Sequence, residues 1–436
     1  MKKKHYIPSL CVLIAVLMGL ASFSGCAPSS NSSSSGAKQI SVIMPQNEMD
    51  TVGFMKQQTT DFEKATGIKV QLVNMSWDNV ATKVTTAMAA GSSSYDVIEF
   101  DNSWISKFTT NKWVVPLDSY MTTDMKDGII PGLQKIFQVS GVNYGIPWNN
   151  DTRFFMYNKT KLDAAGISQP PKTWDQIAQD TKILQSKGLV KYGIIDGYMQ
   201  GQPLSNAITA FVYSYGGDIL ANGTGKPTVT SDPAVKNAYD FLQMAMKDKI
   251  IDPASITSDQ QNAENVFCQG DTEFFPQAWA GVYNNANTPS TSKVVGQIAI
   301  APYQLSGDGS SDVALSLPEA MSIPTTSKHK DLAWKYIAYM SSMTFDKNKA
   351  MTIGALPIYD KTFNDPDVIK KYPYWADFGL QSKNAKGLDA ILWYDKFANA
   401  VQVESQKILL SQESVSNGLS SLQSTLTTLW QAQQSQ

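Results

Sequence analysis

The chain has 436 residues, a formal charge of −2, 42% hydrophobic residues and 17% charged residues. This composition is typical of a folded globular protein and excludes an intrinsically disordered one. The small negative charge argues against a nucleic-acid partner, because binding to phosphates needs a basic face. With three cysteines and two histidines, we expect no disulfide framework, no metal site and no cofactor.

The first predicted element is an export signal. Basic residues at positions 2–4 precede a short apolar run at 10–20, and small residues precede Cys26. This is the composition of an export signal, and the apolar run is too short for a spanning helix, which needs about 20 apolar residues. The cysteine position resembles that of bacterial lipoprotein signals, in which the cysteine carries acyl chains such as palmitate, although Phe23 stands where leucine is usual. An ordinary secretory signal with an incidental Cys26 is the alternative.

The length of the chain predicts two lobes. The part after the signal exceeds the roughly 250–300 residues that one core usually accommodates. We predict a signal peptide at 1–25, a Ser-rich flexible tether at 26–38, a first lobe at 39–150, a second lobe at 151–318 with hinge crossovers at both ends, and a return to the first lobe with C-terminal helices at 319–436. Acyl chains on Cys26 would hold these lobes at the outer face of a membrane.

Strands and helices alternate at the start of the first lobe. Apolar strands are predicted at 39–44, 68–74 and 95–100, separated by helices at 50–64 and 79–90. This alternation predicts a parallel sheet, and parallel sheets bind ligands beyond the carboxyl ends of their strands. The candidate residues that leave those ends are Gln46, Asn47, Glu48, Asp101, Asn102 and Trp104.

A second alternating unit follows. Its predicted elements are strands at 154–157 and 192–195, a helix that begins after Thr173 with a periodic face at 177, 181 and 184, and helices at 204–215, 233–247 and 260–267. Thr173 and Asp232 are predicted as N-caps. Strands at 297–301 and 320–323, a helix at 330–340 and helical stretches within 386–430 complete the chain.

Catalytic signatures do not account for the chain. Neither Gly-x-Ser-x-Gly nor His-Glu-x-x-His occurs. The turn at 223–226 fails as a phosphate loop because Pro227 supplies neither an N–H nor a hydroxyl group for magnesium. A pair of carboxylates among Glu48, Asp101 and Asp151 could hydrolyse a glycoside, so a secreted glycoside hydrolase stays an alternative.

Tryptophan residues lie among Asn, Asp and Gly residues, outside the spacing of helix cores. Those considered for ligand contact are Trp104, Trp148, Trp279, Trp375 and Trp393. A pyranose ring has apolar C–H faces and a polar rim, so indole rings together with carboxylates and amides indicate a carbohydrate ligand. The alternative for each tryptophan is a place in the core, and the alternative for each aspartate is an N-cap.

Several segments in order carry a resemblance over most of the chain after the signal. They include Tyr-Asp-Val at 95–97, Gly-Ile-Pro-Trp at 145–148, Tyr-Asn-Lys at 157–159, Pro-Lys-Thr-Trp-Asp at 171–175, Tyr-Gly-Gly at 215–217 and Ser-Ile-Pro at 322–324. The chain thereby resembles the family 1 extracellular solute-binding proteins of carbohydrate ABC importers. The resemblance implies an α/β, two-lobed, periplasmic-binding-protein-like fold of the Venus flytrap type, with mixed, mostly parallel sheets and a helical C-terminus.

The resemblance also implies a function. We expect a non-enzymatic receptor, monomeric and lipid-anchored outside the cell, that closes on a sugar or oligosaccharide and delivers it to a membrane permease. The family pattern maps ligand contacts to Gln46, Asn47 and Glu48, to Asp101 and Asp151, and a stacking role to Trp279.

Two departures from the family pattern leave the ligand open. Glu319 stands beside Leu317 and Pro318 where the family often has two glycines, so it offers a carboxylate or reshapes the rim, and Ile358 replaces a frequent arginine. A polyamine, metal chelate or peptide in the same fold is the remaining alternative for the ligand.

Overall fold

The computed structural model describes residues 38–46, 50, 52–309, 311, 313–383 and 385–435. The predicted signal, Cys26, most of the tether, Asn47 and Glu48 lie outside the described residues.

Strands and helices alternate along most of the described chain. The strands are β1 (Gln39–Pro45), β2 (Lys69–Met75), β3 (Val97–Asp101), β4 (Gln138–Val139), β5 (Val142–Asn143), β6 (Ile146–Asn149), β7 (Phe154–Asn158), β8 (Leu220–Ala221), β9 (Lys226–Pro227), β10 (Phe274–Ala278), β11 (Ile298–Ile300) and β12 (Glu319–Ser322). The helices are α1 (Phe54–Thr66), α2 (Trp77–Ala89), α3 (Ile105–Thr110), α4 (Thr123–Gly128), α5 (Pro131–Ile136), α6 (Lys159–Ala165), α7 (Trp174–Ser186), α8 (Gln202–Ser214), α9 (Pro233–Lys247), α10 (Gln260–Gln269), α11 (Ala280–Ala286), α12 (Lys330–Met340), α13 (Met343–Ile353), α14 (Asp360–Phe363), α15 (Pro366–Lys371), α16 (Trp375–Lys383), α17 (Tyr394–Leu409) and α18 (Val415–Gln434).

The first sheet has the strand order β2-β1-β3-β12-β6. The pairs of β1 with β2 and with β3 are parallel, as the alternation of strands and helices predicts, whereas β12 runs antiparallel to β3 and β6. Side chains alternate across β1, so that Val42 faces the core that contains α1 and Ile43 faces the core that contains α2. Both faces of the sheet are therefore covered.

The second sheet differs from the predicted, mostly parallel arrangement. Its order is β10-β7-β11, and both outer strands run antiparallel to β7. The strand predicted at 192–195 forms only isolated parallel bridges, from Ile194 to Ile251 and Phe274. The N–H groups of Gly193 and Ile194 both donate to one acceptor, the carbonyl oxygen of Ile250, which makes the pairing irregular there. The protein is thus a two-lobed α/β fold with a mixed first sheet and an antiparallel second sheet.

Two chain segments cross side by side between the sheets. The first runs from β6 to β7 and the second runs towards β12. The N–H of Arg153 donates to the carbonyl oxygen of Leu315, and the N–H of Leu317 donates to that of Asp151, both at 2.8 Å. These bonds place a paired connection between the two lobes.

The C-terminus is helical, as predicted. Helices α17 and α18 pack against α8 and α9, and their apolar side chains share one core with the second lobe. The caps predicted at Thr173 and Asp232 are confirmed, and Thr173 forms a full capping box with Gln176. Among the described helices, none has the length and apolar character needed to span a membrane.

Candidate functional site

The first wall of the candidate site is one edge of the first sheet. Asp101 ends β3, Asn149 ends β6 and Glu319 begins the antiparallel strand β12, so all three meet at this edge. In register, Glu319 pairs with both Asp101 and Asn149, and the Asn149 side-chain amide donates to the Glu319 carboxylate at 3.1 Å. Gln46 directly follows β1 at the same edge and is exposed. Several residues predicted from their positions at the carboxyl ends of strands therefore lie at one edge of the sheet.

Asp101 and Asn102 turn the chain at that edge. The Asp101 carboxylate accepts from the backbone N–H of Ser103 at 2.8 Å and also from its hydroxyl group, so Asp101 serves as an N-cap, and its contact with a ligand stays a prediction. Burial raises the pKa of Asp101 to about 6, while the bonds from Ser103 lower it and the charge of Asp151 raises it further. The amide of Asn102 is 2% exposed, and neither of its polar atoms has a protein partner in the described part of the chain.

The second wall is one edge of the second sheet. Arg153 directly precedes β7, and Trp279 directly follows β10, which runs antiparallel to β7. Asp196 follows Ile194, which bridges Phe274 of β10 in parallel. By this register Arg153, Trp279 and Asp196 lie at the same edge.

Arg153 contacts both the second wall and the crossing segment that arrives from the first sheet. Its Nη2 atom donates to the Asp151 carboxylate at 2.9 Å, and its guanidinium carbon lies 5.2 Å from the centroid of the Trp279 ring. Burial raises the pKa of Asp196 to about 7, against the lowering effects of the Gly197 N–H and the Arg153 charge. Burial also raises the pKa of Asp151, and the Arg153 charge lowers it.

Two tyrosines lie close enough to these carboxylates to interact with them electrostatically. Burial raises the pKa of Tyr394, and the largest electrostatic contribution comes from Asp101. Burial likewise raises the pKa of Tyr198, with a further contribution from Asp196. We name the following residues the polar cluster: Asp101, Asn102, Asp151, Arg153, Asp196, Tyr198, Trp279 and Tyr394.

The polar cluster contains several buried atoms that no protein atom satisfies. Within the described residues these are both amide atoms of Asn102, Nη1 of Arg153, Oδ2 of Asp196 and the hydroxyl groups of Tyr198 and Tyr394. Each buried polar group that is left without a hydrogen-bond partner lowers the free energy of unfolding by about 1–3 kcal/mol. They include donors, acceptors and hydroxyl groups that can do both, which suits a ligand rich in hydroxyl groups.

Three of the predicted tryptophans lie in packed interiors instead. The Trp148 ring is 1% exposed, its N–H donates to the Glu99 carboxylate at 3.1 Å, and it packs in the first-lobe core. Trp104 is 8% exposed and stacks on Phe108 at 5.4 Å. Trp375 is 2% exposed and stacks on Tyr372 at 4.2 Å. These placements favour core packing, the alternative considered for each tryptophan, and contact of the three rings with a ligand stays a prediction.

Four residues of the polar cluster were missed in the sequence: Arg153, Asp196, Tyr198 and Tyr394. The sequence positions of the first three could have identified them. Arg153 lies two residues after Asp151 at a strand start, and Asp196 and Tyr198 follow a predicted strand end, where the same rule that selected Asp101 applies. Nothing in the sequence around Tyr394 identifies it as a site residue, because its position depends on how α17 packs on the second lobe. Among the described residues, no group of His, Cys or acidic side chains is arranged to hold a metal ion.

Comparison with known proteins agrees with this architecture. A family model described as "Bacterial extracellular solute-binding protein" matches residues 47–344. One relative, a "Probable amino-acid ABC transporter periplasmic-binding protein" of Sinorhizobium fredii, is 24% identical over 72% of this chain and 71% of its own length. Another, the diacetylchitobiose-binding protein DasA of Streptomyces coelicolor, is 25% identical over 68% of both chains.

A solved structure has the same fold. Maltose-bound MalE3 of T. maritima superposes with a TM-score of 0.81 at 22% identity, covering 90% of this chain and 100% of the other. The match of the family model over most of the chain, together with the two-lobed fold, identifies the chain as a member of the bacterial extracellular solute-binding protein family.

Proposed function

We propose that the protein captures a sugar or oligosaccharide between its two lobes and delivers it to the permease of an ABC importer. The observation that carries this proposal is the polar cluster, which contains buried donors and acceptors without protein partners and in which Arg153 lies over the ring of Trp279. An indole face with a rim of carboxylate, amide, guanidinium and hydroxyl groups matches the apolar faces and polar rim of a sugar. Two proteins of similar sequence or fold bind diacetylchitobiose and maltose.

The ligand contacts are proposed for the polar cluster and the adjoining sheet edge. Trp279 provides the stacking face, and Glu319 and Gln46 extend the polar rim along the edge of the first sheet. Asn47 and Glu48 follow Gln46 in the chain and stay predicted contacts. The paired crossing segments act as the hinge, so a sugar that contacts both lobes shifts the population towards the closed form.

We further propose that binding occurs without chemical conversion of the ligand. Two of the three carboxylates considered for hydrolysis already have protein partners, because Asp101 caps the turn at Ser103 and Asp151 pairs with Arg153 at 2.9 Å. A hydrolase would need one of them free to protonate a leaving group and the other free to activate water or attack the sugar.

The proposed location is the outer face of the cell membrane, with cleavage after residue 25 and acyl chains, palmitate among them, on Cys26 of a monomer. Acyl chains anchor a protein by burial of CH₂ groups in the bilayer. A Cys26→Ser variant should leave the membrane fraction and no longer incorporate labelled palmitate. Equal membrane association of the variant and the wild type would contradict the anchor.

The ligand proposal is tested with the full chain in a detergent that has no sugar headgroup. Thermal unfolding is measured with glucose, maltose, N-acetylglucosamine, diacetylchitobiose, ribitol and single amino acids, and each mixture is analysed for products. We expect at least one sugar to raise Tm in a saturable way without product formation, because a ligand that binds only the folded state stabilises it. Stabilisation by amino acids alone, or formation of shorter sugars, would contradict the proposal.

A further inference from the structure

Three carboxylates adjoin one another where the polar cluster meets the first sheet. Asp101 and Glu319 are directly paired in the register of β3 and β12, so their side chains leave the same face of the sheet, with Cβ atoms about 4.5–5.5 Å apart. Glu99 lies two residues before Asp101 on β3 and therefore on that face as well. We name these three residues the acidic edge. Like charges at directly opposed positions destabilise a sheet, so the acidic edge needs a compensating charge.

The charges that act on the acidic edge come from further carboxylates. Burial raises the pKa of Asp101, and the charge of Asp151 also raises it. Burial likewise raises the pKa of Glu99, and the charges of Glu319 and Asp101 add to that effect. At Tyr394 the largest electrostatic contribution again comes from Asp101. The acidic edge therefore attracts a positive charge.

The cations near the acidic edge already serve other carboxylates. Arg153 pairs with Asp151 at 2.9 Å. Lys349 is buried and lies 3.8 Å from a carboxylate oxygen of Asp346. Burial lowers the pKa of Lys349, whereas the charges of Asp346 and Glu319 raise it. Because each of these cations is shared with a carboxylate outside the acidic edge, the edge keeps an excess of negative charge within the described part of the chain.

An unpartnered side chain adjoins the acidic edge. Asn102 directly follows Asp101 and is 2% exposed. Neither the oxygen nor the nitrogen of its amide has a protein partner among the described residues. An ammonium group donates three hydrogen bonds and accepts none. The carboxylates of Asp101 and Glu319 and the amide oxygen of Asn102 are three acceptors of the kind that it needs.

A series of contacts connects the acidic edge with the stacking ring of the proposed sugar site. The Arg153 guanidinium lies 5.2 Å from the centroid of the Trp279 ring and bonds to Asp151, whose charge acts on Asp101. A positive group on the ligand belongs at the acidic edge and not beside Trp279, because the Arg153 charge would repel it there.

We propose that the preferred ligand is a sugar with a protonated amino group, such as an unacetylated hexosamine, and that Asp101, Glu319 and Asn102 receive this group. The inference rests on the proposed function, because it assumes that a sugar ring stacks on Trp279. A hydroxyl group satisfies the same acceptors but leaves the buried negative charge uncompensated, whereas an ammonium group satisfies the acceptors and supplies the positive charge.

The test is calorimetry on the full chain at about pH 6.5, below the pKa of ordinary amines, in a detergent without a sugar headgroup. The probes share a ring and differ at one substituent: glucose, N-acetylglucosamine and glucosamine, and the corresponding galactose series. In at least one series, we expect the amine to bind at least about tenfold more tightly than either neutral sugar, a difference of about 1.4 kcal/mol. Putrescine is included as an amine without a sugar ring.

Two variants test the acidic edge itself. Glu319→Gln and Asp101→Asn each keep an acceptor oxygen and remove one charge. Either variant should lower the ratio of amine to neutral-sugar affinity by at least about threefold, because a hydrogen bond to a charged group is roughly twice as strong as one between neutral groups. Asp127→Asn, at an exposed position of α4 in the first lobe, is the matched control and should keep the wild-type ratio.

The outcomes separate this inference from the proposed function. An amine preference below tenfold in both series, or a wild-type ratio in both Glu319→Gln and Asp101→Asn, overturns the cationic ligand class and leaves the proposed function intact. Tighter binding of putrescine than of every sugar, or the absence of binding by any sugar, overturns both.

Discussion

The guanidinium group of Arg153 lies over the indole ring of Trp279, with 5.2 Å between its central carbon and the ring centroid. The two residues belong to neighbouring antiparallel strand ends of the second sheet, while the Asp151 partner of Arg153 belongs to the segment that arrives from the first sheet. Arg153 therefore connects the stacking ring with the segment that joins the two sheets, and its charge lowers the pKa of the buried carboxylate of Asp196.

Replacement of Arg153 by methionine should lower the free energy of unfolding and weaken sugar binding. The Arg153 side chain is 8% exposed and that of its partner Asp151 is 25% exposed. Removal of one member of a buried ion pair lowers the free energy of unfolding by about 3–5 kcal/mol. Because Asp151 reaches solvent, we expect a loss at the lower end of this range or below it. The double variant Arg153→Met/Asp151→Asn should recover part of the stability but not the affinity. Denaturant unfolding and calorimetry measure the two effects.

A surface pair provides the control for Arg153. Lys182 and Asp248 lie 3.6 Å apart, with side chains 61% and 41% exposed. Lys182→Met should change the free energy of unfolding by less than about 1 kcal/mol, because exposed pairs contribute little. If Arg153→Met proved as mild as Lys182→Met, Arg153 would not connect the site in the way described.

The ligand-free protein should become less stable as the pH rises towards neutrality. Burial raises the pKa of Asp196 from its ordinary value of 3.8 to about 7, so between these values the folded chain holds a proton that the unfolded chain has lost. The free energy of unfolding then falls with increasing pH, by at most about 1.4 kcal/mol per pH unit for one group.

Asp196→Asn should reduce that pH dependence, because asparagine does not titrate. The slope does not vanish, because burial also raises the pKa of Asp101, Asp180 and Asp389 to about 6. Thermal unfolding of the variant and the wild type between pH 4.5 and 7.5 tests this, with measurement points on both sides of the pKa of about 6 for Asp101. Identical slopes in the two proteins would show that Asp196 is not held in its protonated form.

The Trp148→Phe substitution separates packing from ligand contact. It keeps an aromatic ring in the core but removes the N–H that donates to the buried Glu99 carboxylate at 3.1 Å. We expect a loss of about 1–3 kcal/mol in the free energy of unfolding and an unchanged sugar affinity. An affinity loss with little change in stability would return Trp148 to the list of ligand contacts.

The alternation of apolar strands and helices in the sequence predicted the parallel part of the first sheet well. Apolar strands separated by helices gave the parallel β1, β2 and β3, and the residues after their carboxyl ends include Asp101 and Asn102 of the polar cluster. The antiparallel second sheet was not predictable in the same way, because a short apolar strand such as β7 has no feature that sets the direction of its neighbours.

The locations of the tryptophan side chains were the least predictable part of the site. Trp148 and Trp279 both lie near polar residues in the sequence, yet one is bonded to Glu99 in the core and the other meets Arg153 at the sheet edge. What distinguishes them is a buried carboxylate on β3, which is separated from the Trp148 strand by β12 and which only the tertiary structure brings into contact with the ring. Tyr394 enters the site for a similar reason, through the packing of α17 on the second lobe.

The most direct test of the central claim is calorimetry with wild type and Trp279→Ala, using a sugar that raises Tm in the screen described above. Trp430→Ala, on α18 with its N–H bonded to the carbonyl oxygen of Thr224, is the matched control. Stacking on an aromatic ring contributes about 1–3 kcal/mol, so we expect Trp279→Ala to bind roughly 5- to 150-fold more weakly while the control binds as the wild type does. Equal affinity in all three proteins would contradict a sugar site centred on Trp279.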